Sequence, residues 1–317
     1  MMRGRHRVEE LRNHRPAGGL SDTCEERVAA ASFEIVRSKF MLAIANGQEI
    51  ALGSRTQLVG VVNVTPDSFS DGGRNLDPGR AAERALEMEA EGADIIEVGG
   101  ESTRPDATPM GAKEEIERIA PVLSALAGRV KIPVAVDTYK SEVAQAALDL
   151  GAGIINDVSA LRFDPAIADA AARSGAGLIL MHMRGNPATM QKLPPSPDIF
   201  AETESDLSSA IEFALSRGVR REQLVVDPGI GFGKTLDDNL AIINHLERFN
   251  LFNLPLMIGT SRKSFIGRLT GKPANERIFG TAASVVAAII RGAHIVRVHD
   301  VREMVEVTRV ADEILSH

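Results

Sequence analysis

VAVDTYKSEVAQAALDLGAGIIND, residues 134–157, contains one complete structural unit. A short β-branched run ends in Asp137. An Ala-rich stretch at helical spacing follows over 141–150, and a second apolar run begins at Gly153 and ends in Asn156-Asp157. The alternation continues in both directions. Apolar runs lie at 58–64, 94–98, 134–137, 153–157, 177–182, 224–227, 254–259 and 294–298. Helical stretches lie at 78–91, 113–127, 141–150, 165–174, 199–217, 236–248, 276–291 and 301–315. Strands that are apolar throughout are covered on both faces, as parallel strands flanked by helices are. Eight β-then-α units over roughly 260 residues predict an α/β fold, a (β/α)8 TIM barrel. A doubly wound open sheet normally has fewer units and a switch in strand order.

Ahead of the barrel, apolar runs at 40–45 and 48–52 flank Asn46-Gly47, a dipeptide that supplies the positive φ of a type I′ turn and predicts a short N-terminal β-hairpin. Val28, Phe33, Ile35, Val36 and Phe40 fall at helical spacing, while the first sixteen residues hold five Arg and two His. The expected division is an N-terminal extension, helical or disordered, over 1–39 and one barrel domain over 40–317. The 317 residues are 44% hydrophobic and 25% charged, an ordinary globular balance. The single Cys24 excludes an internal disulfide framework and any cysteine-cluster metal site. A net charge of −7, one Tyr and no Trp argue against nucleic-acid binding. No apolar run reaches the roughly 18 residues of a membrane helix, and the whole suits a cytoplasmic, reducing compartment.

Polar residues gather where the apolar runs end. The runs terminate in Asn63-Val-Thr-Pro, Gly99-Gly-Glu-Ser-Thr-Arg-Pro, Asp137-Thr, Asn156-Asp157, His182, Asp227-Pro-Gly-Ile-Gly-Phe-Gly-Lys, Gly259-Thr-Ser-Arg-Lys-Ser and Arg297-Val-His-Asp. In this fold those ends converge on one mouth, where active sites lie. Asp137 and Asp157 could each instead cap a helix, but capping does not account for all eight ends. Asn63, Arg297 and His299 form a donor-rich side suited to a phosphate-like anion. Asp137, Asn156, Asp227 and Lys263 combine acceptors with a cation, which suits a flat heterocycle presenting N–H donors and a carbonyl. The glycines of 229–233 before Lys234 match neither the Walker A spacing nor the dinucleotide fingerprint. No zinc-ligand spacing is present, whereas Mg²⁺ held mainly by substrate phosphates needs only one or two protein oxygens.

These segments resemble the dihydropteroate synthase family, a group of pterin-binding enzymes. Asn63-Val-Thr-Pro-Asp-Ser-Phe-Ser-Asp-Gly-Gly73 and Gly99-Gly-Glu-Ser-Thr-Arg-Pro105 are similar to its two signature loops. Asp137-Thr-Tyr-Lys140, Ile155-Asn-Asp157, Met181-His182, Asp227 to Lys234, Thr260 to Ser264 and Val296 to Asp300 continue the likeness in order. The resemblance implies condensation of 7,8-dihydropterin-6-ylmethyl diphosphate with 4-aminobenzoate, releasing diphosphate, with Mg²⁺ as cofactor, a homodimer as assembly and sulfonamides as inhibitors. It places Asn63 on Mg²⁺ and on the diphosphate, with Arg297 and His299. Asp137, Asn156, Met181, Asp227 and Lys263 would hold the pterin, and Thr103 would touch its diphosphate end. Ser264 would bind the aminobenzoate carboxylate, with Phe69, Asp71, Arg104, Pro105 and Phe232 completing that pocket. Asp71, Arg104, Lys263, Arg297 and His299 are the catalytic candidates. Asp106 departs from the Gly usual after Arg-Pro, and the extension has no counterpart in the common pattern. A pterin-binding methyltransferase domain shares the barrel but has no need of the Ser-Thr-Arg-Pro and Ser-Arg-Lys-Ser loops. A non-catalytic pterin-binding paralogue is the other alternative.

Overall fold

The computed structural model describes residues 37–65, 78–102 and 109–317. An antiparallel hairpin, β1 (Phe40–Ile44) and β2 (Gln48–Leu52), precedes eight strands. These are β3 (Gln57–Asn63), β4 (Ile95–Gly99), β5 (Val134–Asp137), β6 (Ile154–Asp157), β7 (Gly177–Met181), β8 (Leu224–Asp227), β9 (Met257–Ile258) and β10 (Ile295–Val298). All eight pair in parallel, in the order β8-β7-β6-β5-β4-β3-β10-β9. A parallel bridge between Val226 and Leu256 joins the two ends and closes the barrel. The helices are α1 (Pro78–Glu91), α2 (Ala112–Leu126), α3 (Ser141–Asp149), α4 (Ala166–Ser174), α5 (Ile199–Ser216), α6 (Leu236–Asn244), α7 (Ser264–Thr270), α8 (Ile278–Ile290) and α9 (Val301–Leu315).

The barrel follows the expected units, with three local differences. The helix expected to run to residue 248 stops at Asn244 and gives way to a 3₁₀ segment, Leu246–Phe252. Leu246, Phe249 and Phe252 recur every third residue, and a helix of three residues per turn puts all three into the core. Strand β9 is only two residues long, and Pro255, which has no N–H to give the ladder, lies just ahead of it. Helix α7 has no counterpart among the expected stretches. The hairpin loop has three residues, Ala45–Gly47, with Asn46 and Gly47 at φ 62° and 69°. The helical spacing expected over 25–40 lies outside the described residues up to 36, and Phe40 opens β1.

The hairpin closes the N-terminal end of the barrel. Alternating residues Leu42 and Ile44 of β1, with Leu52 of β2, pack against one interior side chain from each barrel strand: Val59, Ile95, Ala135, Ile154, Ile179, Val225, Met257 and Ile295. Ala45 N–H donates to the Gly153 carbonyl at 3.1 Å, anchoring the hairpin tip. Residues just ahead of Phe40 are also tied down. Arg37 is ion-paired with Asp312 of α9 and donates to Thr56 Oγ1 at 2.8 Å. Truncating buried Leu42 to Ala is expected to destabilise the protein by about 2–5 kcal/mol in urea unfolding, with kcat/KM of the folded fraction unchanged.

His294 completes this end. Its Nδ1 accepts from Leu256 N–H at 3.1 Å and its Nε2 faces the Ser38 carbonyl at 3.0 Å, so the neutral ring carries its proton on Nε2. Burial pushes its pKa down to about 4. The unfolded chain, with a histidine near the ordinary ~6.5, takes up the proton first. The stabilising contribution is complete above pH ~6.5 and declines as pH falls toward about 4. Melting temperatures measured across this window should fall more steeply for the wild type than for His294→Gln. Parallel curves would refute the assignment.

Candidate active site

Two residues beyond the apolar layer, on the same inward faces, lie Val61, Glu97, Asp137, Asn156, Met181, Asp227, Gly259 and Arg297. The strand period of two thus turns an apolar floor into a polar one within a single step toward the mouth. Arg297 Nε donates to Glu97 Oε1 at 2.6 Å, and its Nη2 donates to Asp137 Oδ2 at 2.9 Å. Asn156 Nδ2 donates to the other Glu97 oxygen at 2.8 Å. Burial and the adjacent Glu97 carboxylate hold the Asp137 carboxyl well above the usual range, against the pull of Arg297. Burial works against the charge of Arg297 too, but Glu97 and Asp137 carry its pKa above the ordinary value. Two acceptors on this floor, Asp137 Oδ1 and Asn156 Oδ1, are buried and have no hydrogen-bond partner among the described residues.

Asp227 stands nearby at the end of β8. Its Oδ1 accepts from Gly229 N–H at 2.7 Å, and burial raises its pKa despite the opposing Lys263 charge. Lys263 donates to the Ile230 carbonyl and lies 4.8 Å from the centre of the Phe232 ring. Burial pushes its pKa down to about 8, with Asp227 resisting. Beside them, Met181, Met183, Met190 and Val158 form a buried apolar patch against which Phe232 and Tyr139 pack. A flat ring would find acceptors at its edge and sulfur and aromatic carbon at its face.

The loops explain themselves locally. Gly229 has φ +69°, and a Cβ there would fall 1.9 Å from the His182 carbonyl oxygen. That segment is therefore a close backbone crossing, and Lys234 turns inward, with Nζ 2.9 Å from His182 Nδ1. Arg277 donates to the carbonyls of Arg262 and Lys263, and Arg262, at φ +58°, is paired with Asp300. This bracing aims Lys263 inward and leaves Ser264 exposed at the start of α7. His299 Nδ1 lies 3.0 Å from Ser261 Oγ, and half-buried Asn63 ends β3. Asp157, by contrast, is spent on its own turn: it accepts from Ser159 N–H, Ser159 Oγ and Leu161 N–H.

The structure therefore brings together Asp137, Asn156, Met181, Asp227, Phe232, Lys263 and Arg297, with Asn63, Ser264 and His299 on the surrounding strand and helix ends. Phe69, Asp71, Thr103, Arg104 and Pro105 lie outside the described residues, as does Asp106. Sequence reading missed Glu97, which is fully buried at the centre of the network. A signal was present: counting two residues inward from Ile95, as from Ala135 to Asp137, reaches it. Among the described residues no three His, Cys, Asp or Glu side chains are gathered for a metal, and no helix is long and apolar enough to cross a membrane.

A profile of the pterin binding enzyme family matches residues 59–299. A dihydropteroate synthase of Escherichia coli is 45% identical over 276 residues, covering 87% of this chain and 97% of its own. The chain belongs to the dihydropteroate synthase family. A Synechocystis dihydropteroate synthase is 44% identical over 83% of this chain and 91% of its own. The Yersinia pestis dihydropteroate synthase crystallised as a sulfonamide drug complex superposes with a TM-score of 0.83 at 40% identity, covering 88% of this chain and all of that one. The Xanthomonas albilineans dihydropteroate synthase with 4-aminobenzoic acid gives 0.81 at 39% identity, covering 87% and 99%. These likenesses favour a transferase of this family over a methyltransferase domain.

In this dihydropteroate synthase barrel Arg297 is the cation that faces two acidic side chains at once, Glu97 and Asp137. Removing one partner of a buried ion pair leaves an uncompensated charge, at a cost of about 3–5 kcal/mol. Arg297→Ala should therefore lose stability of that order, discounted for the partial exposure of the guanidinium, as well as turnover. Thermal unfolding at neutral pH measures the first; an unchanged melting temperature would show that the network carries no net stabilisation.

Proposed function

We propose that this chain condenses 7,8-dihydropterin-6-ylmethyl diphosphate with 4-aminobenzoate, forming 7,8-dihydropteroate and diphosphate for folate biosynthesis. The carrying observation is the pair of unpartnered buried acceptors, Asp137 Oδ1 and Asn156 Oδ1, on one floor with Asp227. A pterin offers N–H donors along one edge, and such a site penalises a ligand that lacks them. Met181 and Phe232 supply the apolar surface for the ring, and Lys263 is the cation available to the ring carbonyl.

The chemistry asks little proton transfer of the protein. The methylene C–O bond breaks with its electron pair leaving on the diphosphate, and the pterin ring shares the positive charge. The neutral aromatic amine then forms the C–N bond and releases its proton to water. Arg297 and His299 are assigned to the departing diphosphate, where donors to developing charge are most effective. Asn63, an amide oxygen donor on a strand end with no acidic cluster around it among the described residues, suits a Mg²⁺ ion held mainly by substrate phosphates. Bound there, Mg²⁺ would neutralise charge on the leaving group. Ser264 is assigned to the aminobenzoate carboxylate. Phe69, Asp71, Thr103, Arg104 and Pro105 are assigned to the two signature loops by sequence likeness. A homodimer is the proposed assembly. The cytoplasm is the proposed location.

A coupled assay of diphosphate release tests the reading: activity should need both substrates and fall when Mg²⁺ is chelated. Asn63 and Thr103, at the base of the two signature loops, are both assigned to the Mg²⁺-diphosphate, so the residues that the loops bring to the amine pocket depend on that anion being bound. A sulfonamide is therefore expected to bind tightly only when Mg²⁺ and diphosphate are present. Equal affinity in calorimetry without them would mean that the amine pocket is preformed.

A further inference from the structure

Glu97 sits on β4 in the barrel interior, completely shielded from water, between Ile96 and Val98 and two residues beyond Ile95 of the apolar layer. A lone carboxylate there is expensive, and an apolar residue of similar size would fill the space without that cost. The compensation is visible: Oε1 accepts from Arg297 Nε, and Oε2 accepts from Asn156 Nδ2. An ionised carboxylate can only accept. Asn156, facing it, has no choice but to present its NH₂ group to Glu97, which leaves Asn156 Oδ1 unpartnered on the floor beside Asp137 Oδ1.

We propose that Glu97 is a positioning residue that sets the hydrogen-bond polarity of the pterin floor, fixing the Asn156 amide so that its oxygen, not its nitrogen, meets the ligand. Glu97 does this without touching the ligand itself. It also holds Arg297, and so Asp137, in register: residues from strands β4, β5 and β10 meet through one guanidinium. The floor thereby rejects a ring edge that offers acceptors and accepts one that offers N–H groups, which makes Glu97 a determinant of ligand class. The inference rests on the assignment of this floor to the pterin.

Glu97→Gln separates the roles. The substituted side chain can still accept from Arg297 through its amide oxygen, but its NH₂ group then faces Asn156, which must turn over and offer NH₂ to the ligand. The dissociation constant of the pterin diphosphate should rise on the order of 10- to 100-fold, the loss expected when a buried donor meets a donor. The KM for 4-aminobenzoate at saturating pterin should stay within about twofold, because no hydrogen bond to that substrate is altered. The double variant Glu97→Gln with Asn156→Asp moves the negative charge across the pair without changing its total. The carboxylate introduced on β6 can accept from the amide introduced on β4 with one oxygen and from the pterin with the other, so most of the lost affinity should return. Asn156→Asp alone places two carboxylates face to face and should bind more weakly than the double variant.

Isothermal calorimetry with the pterin diphosphate, on all four proteins, reads the cycle. Wild-type affinity in Glu97→Gln, or a double variant no better than Glu97→Gln, overturns the role of Glu97. Should Glu97→Gln not fold, the double variant alone decides: binding within about tenfold of wild type supports the role, and weaker binding refutes it. A wild-type protein that does not bind the pterin diphosphate would instead sink the assignment of the floor, a distinct result.

Discussion

The Arg297 guanidinium, held between the Glu97 and Asp137 carboxylates, is the interaction on which the site depends. The two carboxyl groups are buried and the guanidinium is largely covered, and an isolated charge here would be costly. Each carboxylate is tolerable because the guanidinium faces both, and the guanidinium is tolerable because both face it. The contacts span 200 residues of sequence for Glu97 and 160 for Asp137. They exist only when β10 closes against β3 and β3 against β4. Barrel closure and the charged floor are therefore one condition seen from two sides.

Below that floor the physics is ordinary. The hairpin covers eight interior apolar side chains, one per strand, and removes the open end through which water would reach the charges. Burial has opposite effects above and below. In the lower layer it contributes stability directly, while in the upper layer it shifts the acids upward and Lys263 downward. A ligand that supplies N–H groups to Asp137 and Asn156 would satisfy acceptors that the described residues leave unpartnered. The site is thus most complete with its substrate in place, which is what preorganisation for a particular heterocycle requires.

The loops show how local chemistry serves this geometry. Gly229 is glycine because the backbone after β7 passes where a Cβ would stand. The Arg262–Asp300 pair and the Arg277 contacts hold the turn that presents Lys263 to one side and Ser264 to the other. Asp157, chemically indistinguishable from Asp137 in the sequence, ties down its own turn instead.

The order of strands and helices, the barrel and the identity of most polar strand ends were legible in the chain. Hydrophobic periodicity is a local property, and parallel strands advertise their burial residue by residue. The same periodicity failed at 246–252, where a 3₁₀ turn serves the core as well as an α-turn would, and at β9, which is two residues long where the apolar run spans 254–259. What the sequence could not decide was partnership. Asp137 and Asp157 carried equal signals, and only the fold set one against Arg297 and the other against its own backbone. Glu97 stands among apolar neighbours, and although its inward face can be counted from Ile95, nothing local chooses its partners, Arg297 and Asn156. That choice is made by the register of strands far apart in sequence, and so it belongs to the tertiary structure alone.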